Sequence, residues 1–178
     1  IVPILQDFNA NDIHHITNHS ESKLLFASDA NWENLEEEKL ITVEAVFSLN
    51  KFNLTTIVDH TKPTLLDKTE DDMPVVEPHE APFTAEQISP ENIERLFNEK
   101  YPDGFYPDCV RYIDKPNSEI VSINYTSGTT GFSKGVLTSG NALAGNITYG
   151  IETNLLVREK KLVAFLPLAH AYGCAFDF

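Results

Sequence analysis

The stretch Tyr125–Gly135, which reads YTSGTTGFSKG, limits what this chain can fold into more than any other feature of the sequence. It contains three glycines, several hydroxyl residues and one lysine. It directly follows residues 119–124, an alternating segment that is typical of a strand. Glycine lets the backbone approach a ligand closely, hydroxyls and freed amides donate hydrogen bonds, and Lys134 supplies positive charge. The stretch predicts a loop that wraps an anionic phosphate, followed by a short second strand from Gly135 and a helix from about Asn141.

The first fifty residues alternate apolar runs with helix signals. Ile1–Leu5, Lys23–Ser28 and Val43–Leu49 are predicted as strands, and the second is apolar on both faces, as buried parallel strands are. Asn9–Asp12 is predicted to cap a helix, and Trp32–Lys39 to form a short acidic helix. This order predicts an α/β fold, with a mostly parallel sheet and flanking helices built from βαβ units.

The middle of the chain changes in composition. Proline, asparagine, threonine and acidic residues dominate residues 50–88, which are predicted to form a surface insertion with a short strand near Thr55–Val58. A helix signal follows, with Ser89 suited to the N-cap and Pro90 to the first turn. This helix is expected to end by Tyr101.

Charge and cysteine content exclude several classes of function. The net charge of −14 argues against non-specific nucleic-acid binding, which needs a basic surface. Cys109 and Cys174 form neither a metal motif nor a disulfide framework, and no segment approaches the roughly 20 apolar residues that span a bilayer. His14, His15 and His19 are interpreted as polar residues on a helix surface, so no metal ligand is predicted in this chain.

Two familiar phosphate-loop templates do not fit the glycine-rich stretch. The loop of P-loop NTPases places glycine before its lysine and Ser or Thr after it, whereas Ser133 precedes Lys134 here and Gly135 follows. The Gly-x-Gly-x-x-Gly spacing of dinucleotide-binding and kinase loops does not occur in the stretch either.

The residues Thr126–Gly135 resemble the phosphate loop of the adenylate-forming superfamily, which includes acyl-CoA synthetases, peptide-synthetase adenylation domains and luciferases. Every position of that motif is matched except its proline, which is Ser133 in this chain. Leu166–Gly173, reading LPLAHAYG, resembles the motif near the acyl pocket in its long-chain fatty acyl-CoA synthetase form. Ile1–Leu5 and Asn18–Phe26 also resemble early segments of that branch.

The resemblance implies a two-step ligase, in which ATP and a carboxylic acid, expected to be a fatty acid, give an acyl-adenylate that passes to CoA. It implies Mg²⁺ as a further cofactor of the complete enzyme. It implies catalytic roles for Thr130 and Lys134. The residues that it assigns to ATP phosphates are Thr126, Ser127, Gly128, Thr129, Thr130, Gly131, Lys134 and Gly135. The residues that it assigns to the acyl pocket are His170, Tyr172 and Gly173.

The same resemblance indicates what this sequence lacks. The family's adenine-side Tyr-Gly-x-Thr-Glu motif does not occur in it, and neither the ribose-binding aspartate nor the C-terminal domain with the adenylation lysine is recognised. Residues 1–178 are therefore predicted to be a fragment of the AMP-binding N-terminal domain and to be inactive alone. The parent enzyme is predicted to be cytoplasmic, and the sequence does not decide whether it attaches peripherally to a membrane. The alternatives are an aryl or short-chain acid ligase, an adenylation domain, or a non-catalytic nucleotide-binding module.

Overall fold

The computed structural model divides the chain into two compact units. One unit is Ile13–Ile113, and the other joins Ile1–Asp12 to Asp114–Phe178. The residues that the structure describes are 1–61, 76–111, 116–126, 133–153, 159, 161 and 163.

A three-stranded sheet forms the centre of the unit Ile13–Ile113, in the order β1-β2-β3. Strand β1 is Leu24–Ala27, β2 is Ala45–Ser48 and β3 is Leu54–Ile57. The pair β1–β2 is parallel, whereas β2 and β3 are antiparallel. The latter pair is a hairpin because the connection, residues 49–53, is too short for the crossover that parallel strands need.

The first helix, α1, spans Ala10–His19 and begins with a reciprocal cap. The Asn9 side chain accepts a hydrogen bond from the Asp12 amide at 3.1 Å, and the Asp12 carboxylate accepts one from the Asn9 amide at 3.2 Å. Two amides that the first turn would leave unpaired are thereby satisfied. The helix predicted after Asn9–Asp12 is confirmed, and it begins at the start of that segment.

The predicted helix Trp32–Lys39 is wrong in its bounds. The Ser28 hydroxyl accepts a hydrogen bond from the Asn31 amide at 3.2 Å, which starts a short helix, α2, at Asp29–Trp32. A separate 3-10 helix covers Glu37–Lys39. The serine cap lies just beyond β1 and therefore sets the helix start earlier than the acidic run suggests.

The core of this unit lies between α1, the sheet and the segment that precedes β2. Asn18 is buried there and joins two elements, since its side chain accepts from the Ile41 amide at 2.9 Å and donates to the Lys39 carbonyl at 2.7 Å. A buried amide with both ends bonded fixes the position of the segment that leads into β2. The buried apolar residues of this unit are Ile16, Leu25, Ala27, Leu40, Ile41, Val43, Ala45, Val46 and Val58.

The prediction that the three histidines of α1 lie on its surface is wrong for His14. His14 is only 5% exposed, and its Nε2 accepts a hydrogen bond from the Glu36 amide at 3.1 Å. Burial lowers the pKa of His14 below its ordinary value. His19 is exposed as expected, and its ring stacks on that of His15 at 5.5 Å between centroids.

Helix α3 begins where the sequence predicts it. It spans Pro90–Lys100, and the Ser89 hydroxyl accepts a hydrogen bond from the Asn92 amide at 3.2 Å. Proline in the first turn loses no helical hydrogen bond there, because that amide has no partner within the helix. Tyr101 ends the helix, as expected.

The second unit contains a hairpin and a helix. Strand β4 is Ile120–Thr126, and it pairs antiparallel with β5, Lys134–Ser139. Helix α4 follows directly at Gly140–Glu152, with the Ser139 hydroxyl accepting from the Ala142 amide at 3.3 Å. Both strands and the helix confirm the predicted elements around the glycine-rich loop.

The predicted strand at Ile1–Leu5 is wrong, since the structure assigns no strand there. Ile1 nevertheless lies beside β4, where its amino group donates to the Val121 carbonyl at 3.1 Å and its carbonyl accepts from the Ile123 amide at 3.0 Å. A strand repeats such bonds with one neighbour at every second residue, and Pro3, the next in that order, has no N–H to donate. The side chain of Ile1 is 95% exposed, so this end of the segment buries no apolar surface of its own.

The predicted α/β class is confirmed. Among the strands that the structure describes, β1–β2 is the parallel pair, and the two antiparallel pairs are hairpins closed by short connections. Within the described residues, no helix has both the length and the apolar character that crossing a bilayer requires.

Candidate functional site at the end of a hairpin

The glycine-rich loop is the connection of the β4–β5 hairpin. Thr126 is the last residue of β4 and Lys134 the first of β5, and the two are opposite each other in the ladder. Opposite residues of an antiparallel pair point to the same face, with their Cβ atoms about 4.5–5.5 Å apart. Both residues are exposed. The hairpin therefore presents a hydroxyl and an ammonium group side by side where the loop leaves and returns.

Gly135 follows Lys134, and its neighbours explain the absence of a side chain there. It is opposite Tyr125, and a Cβ at this position would lie 3.0 Å from Ile123 Cγ2 and 3.2 Å from Tyr125 Cζ. Tyr125 is 5% exposed, and burial raises the pKa of its phenol. Close packing within the hairpin thus favours glycine at 135 irrespective of any ligand, because a side chain there would have to displace Ile123 or Tyr125.

Further along the hairpin, the strands are joined by a pair of polar side chains. The Asn124 side-chain amide donates to the Thr138 hydroxyl across the ladder at 3.1 Å. Ser122 lies on the same strand and is 8% exposed. The Asn124–Thr138 bond and the burial of Ser122 favour the register that keeps Thr126 opposite Lys134, since a shift by one residue would turn every side chain to the other face.

The far end of β5 is fixed by the start of α4. The Gly140 amide donates to the Glu119 carbonyl at 3.1 Å, and the Asn141 amide donates to the Asn117 carbonyl at 2.6 Å. A Cβ on Gly140 would lie 3.0 Å from that Asn117 oxygen, so glycine allows the close approach. The turn before β4 and the first turn of α4 therefore support the base of the hairpin whose other end carries the loop.

Several residues predicted for the site lie outside the described part of the chain. Of the phosphate-binding set, the structure places Thr126, Lys134 and Gly135. The site residues outside the described ranges are Ser127, Gly128, Thr129, Thr130, Gly131, His170, Tyr172 and Gly173. The roles predicted for all of them stay predictions.

The chemistry of the described donors fits a polyphosphate. A hydroxyl donates a hydrogen bond to a phosphate oxygen, and an ammonium group adds a charge-assisted one. Thr126 and Lys134 lie opposite each other on one face of the hairpin, one at each end of the loop. Both side chains can therefore contact the same phosphate group. This donor set suits a phosphate group.

Comparison with known proteins gives a match over the whole chain. A family model described as "AMP-binding enzyme" matches residues 1–178. Acyl-CoA ligase 891, peroxisomal, of Penicillium brevicompactum is 54% identical over 57 residues, which are 32% of this chain and 8% of that protein. Long chain acyl-CoA synthetase 5 of Arabidopsis thaliana is 41% identical over 71 residues, which are 36% of this chain and 10% of that protein.

A solved structure shares the fold. The crystal structure of an ATP-bound RpMatB–BxBclM chimera superposes on 97% of this chain and 26% of its own, with a TM-score of 0.53 and 17% sequence identity. At that identity the likeness concerns the fold alone. In each of these comparisons the chain spans a small part of the other protein.

Proposed function

Because the chain belongs to the AMP-binding enzyme family, we propose that it supplies the phosphate-binding loop of an ATP-dependent fatty acyl-CoA synthetase. The observation that carries this proposal is the pair Thr126–Lys134, which holds the two ends of a glycine-rich loop opposite each other. A hydroxyl and a cation are thus brought to one face at the point where a polyphosphate would enter the loop.

The first step of the proposed reaction explains the need for this loop. A carboxylate oxygen of the acid attacks the α-phosphorus of ATP, and the bond from that phosphorus to the β-phosphate oxygen breaks as pyrophosphate leaves. Negative charge grows on the departing group. Lys134 and Thr130 stabilise that negative charge, and the other loop hydroxyls and amides between Thr126 and Gly135 donate further hydrogen bonds to it.

The second step transfers the acyl group. The CoA thiolate attacks the carbonyl carbon of the acyl-adenylate, and the carbon–oxygen bond to AMP breaks. We assign His170, Tyr172 and Gly173 to the acyl pocket, beside the carboxyl group of the acid. Mg²⁺ is expected to neutralise phosphate charge in the complete enzyme, and no residue of this chain is assigned to it.

The proposed acid is a fatty acid. Its support is the resemblance of Leu166–Gly173 to the long-chain branch, together with the similarity to an Arabidopsis protein named as a long chain acyl-CoA synthetase. We further propose that residues 1–178 are part of the AMP-binding N-terminal domain of a cytoplasmic enzyme and have no ligase activity alone. The chain spans 8% to 10% of the two curated relatives described above.

The experiment is carboxylate-dependent exchange between ATP and pyrophosphate, measured on the complete protein with acids of graded chain length. Exchange is expected to be fastest with long-chain fatty acids. Lys134→Ala is expected to slow it by about 100-fold or more, as loss of a charge-stabilising donor does in other enzymes. Lys100→Ala is the matched control, because it removes the same charge from the last turn of α3.

The outcomes separate the competing functions. Exchange that favours aryl or short-chain acids would assign the protein to another branch of the family. ATP binding without exchange for any acid would indicate a nucleotide-binding module and overturn the ligase proposal. An equal rate for Lys134→Ala and the wild type would remove Lys134 from the mechanism.

A further inference from the structure

Three side chains far apart in the sequence meet in the unit Ile13–Ile113, well away in the chain from the glycine-rich loop. Glu44 lies just before β2, His60 follows β3, and His79 lies in the next described segment. One ligand-type atom from each residue lies within 4.8 Å of the other two. Glu44 and His60 are buried, and His79 is partly exposed.

We propose that Glu44, His60 and His79, here called the Glu44 cluster, bind a divalent transition-metal ion of the zinc class. Two imidazoles and one carboxylate form a ligand set that suits zinc and leaves a further position for water. The proposal does not depend on the ligase function, since it concerns other residues of the chain.

The distances within the Glu44 cluster suit a compact site. His79 Nε2 lies 3.1 Å and 3.3 Å from the two carboxylate oxygens of Glu44, and His60 Nε2 lies 4.0 Å from Glu44 Oε2. In a tetrahedral zinc site with bonds of about 2.0–2.1 Å, ligand atoms are about 3.3 Å apart. The first pair is already at that separation, and the second needs a movement of less than about 1 Å.

Outer contacts orient the ring of His79 for such a role. Its Nδ1 donates to the Glu77 carbonyl at 3.0 Å, because a carbonyl oxygen only accepts. This bond directs Nε2 toward Glu44, which is how backbone carbonyls orient metal-binding histidines. The His79 amide also donates to the His60 carbonyl at 3.2 Å, so the two segments are held together by the backbone as well.

Two contacts must change when the ion binds. His60 Nε2 lies 2.8 Å from the Val43 carbonyl, a hydrogen bond that a metal bond through this atom would replace. The rings of His60 and His79 stack at 4.9 Å and 15°, so one ring must turn for both to face the same ion. The His60 ring is the one that turns, since its bond to the Val43 carbonyl is lost while the Glu77 carbonyl still orients the ring of His79.

A neighbouring cation competes for the same carboxylate. Lys23 Nζ lies 3.4 Å from Glu44 Oε1, and its side chain is 60% exposed. Glu44 is buried but the lysine lies largely in solvent, so Lys23 can move away when a divalent ion takes its place beside the carboxylate. The bound ion would join the segment around His79 to the sheet through Glu44 and His60.

The test is titration of the metal-free complete protein with Zn²⁺ by calorimetry and with Co²⁺ by visible absorption. We expect saturable binding of one ion per chain and the d–d bands of a four- or five-coordinate cobalt site. A chain that binds neither ion saturably would overturn the proposal, because the cluster would then be a network of hydrogen bonds and ion pairs only.

Variants locate the site. Glu44→Gln and His79→Gln are expected to lower the affinity for Zn²⁺ by about tenfold or more, and Lys23→Met to raise it. If circular dichroism shows that Glu44→Gln does not fold, His79→Gln provides the test. His79 is more exposed than Glu44, so its replacement disturbs the fold less. Unchanged affinity in a folded His79→Gln variant would contradict the proposal.

His19→Gln is the matched control. His15 and His19 stack one helical turn apart and offer the most obvious rival site for an added metal. We expect this variant to bind Zn²⁺ as the wild type does. A loss of binding in His19→Gln would assign the ion to that histidine pair and overturn the assignment to the Glu44 cluster.

Discussion

Thr126 and Lys134 are cross-strand partners at the open end of the β4–β5 hairpin. The ladder thereby fixes the distance between the two ends of the glycine-rich loop, whatever conformation the loop itself adopts. The Thr126 hydroxyl and the Lys134 ammonium group leave the hairpin on one face, so a ligand that contacts one of them is within reach of the other.

A double-mutant cycle measures this relationship. Thr126→Val and Lys134→Ala are each expected to slow ATP–pyrophosphate exchange in the complete enzyme, and the double variant to lose less than the sum of the two losses. Contacting residues that share a partner typically show interaction energies of about 0.5–3 kcal/mol. Strictly additive effects would indicate that the two side chains act on separate parts of the substrate.

The sequence predicted the elements whose signals are local. Ser89 and Pro90 mark the start of α3 within two residues, and the alternation before the glycine-rich stretch marks β4. Helix α4 begins at Gly140, beside the predicted Asn141. The bonds that define the two helices connect residues close together in the chain, and β4 pairs with the next strand along the chain.

The features that the sequence did not predict depend on distant partners. His14 has the polarity of a surface residue, yet it is buried by the segment that contains Glu36. Glu44, His60 and His79 show no regular spacing, because separate elements bring them together. An apolar run such as Ile1–Leu5 indicates burial in general, but it does not identify a neighbouring strand to pair with.

The sequence also indicated part of the candidate site, because the glycine-rich motif is local. The motif predicts which residues surround a phosphate, a prediction that stays open, and the hairpin adds what the motif lacks, namely the pairing of Thr126 with Lys134. The motif also gave Gly135 to the phosphate site. The structure adds that a Cβ there would crowd Ile123 and Tyr125, at 3.0 Å and 3.2 Å.

Gly135→Ala is expected to destabilise the chain. The added Cβ would meet Ile123 Cγ2 at 3.0 Å and Tyr125 Cζ at 3.2 Å, and extra methyl groups in well-packed sites cost about 1–3 kcal/mol. Urea unfolding followed by fluorescence and circular dichroism measures the change. A Gly135→Ala variant as stable as the wild type would show that the two neighbours move aside easily.

Gly145→Ala is the matched control for that experiment. Gly145 lies within α4, and among the described residues no atom outside its own helix turn and chain neighbours lies within 4 Å of a Cβ placed there. Alanine inside a helix is favoured over glycine by about 0.5–1 kcal/mol. The same substitution should therefore stabilise the unit at 145 and destabilise it at 135.

Ser89→Ala is expected to weaken the start of α3 by about 1 kcal/mol. The variant removes the acceptor for the Asn92 amide, which lies 3.2 Å from the serine hydroxyl. Faster hydrogen exchange of the amides in the first turn of α3 would report the loss directly. Ser89→Asp keeps an acceptor at the cap and is expected to protect those amides as serine does; equal protection in Ser89→Ala would contradict the cap's contribution.

His14 is expected to make stability depend on pH. Burial holds its folded-state pKa below the ordinary value of 6.5, so the unfolded chain binds more protons between those two values. The free energy of unfolding should therefore rise with pH through that window. Its contribution is complete above about pH 6.5 and is lost as the pH falls through the folded pKa. Lys39, Glu36 and Glu38 are the charged neighbours that modify the shift.

The measurement is the melting temperature between about pH 4.5 and pH 7.5 for the wild type and His14→Gln. Glutamine retains an acceptor near the Glu36 amide but does not titrate, so the variant should lose less stability than the wild type as the solution is acidified. His19→Gln removes an exposed histidine from the same helix and should follow the wild-type curve. Parallel curves for His14→Gln and the wild type would mean that protonation of His14 is not opposed by its burial.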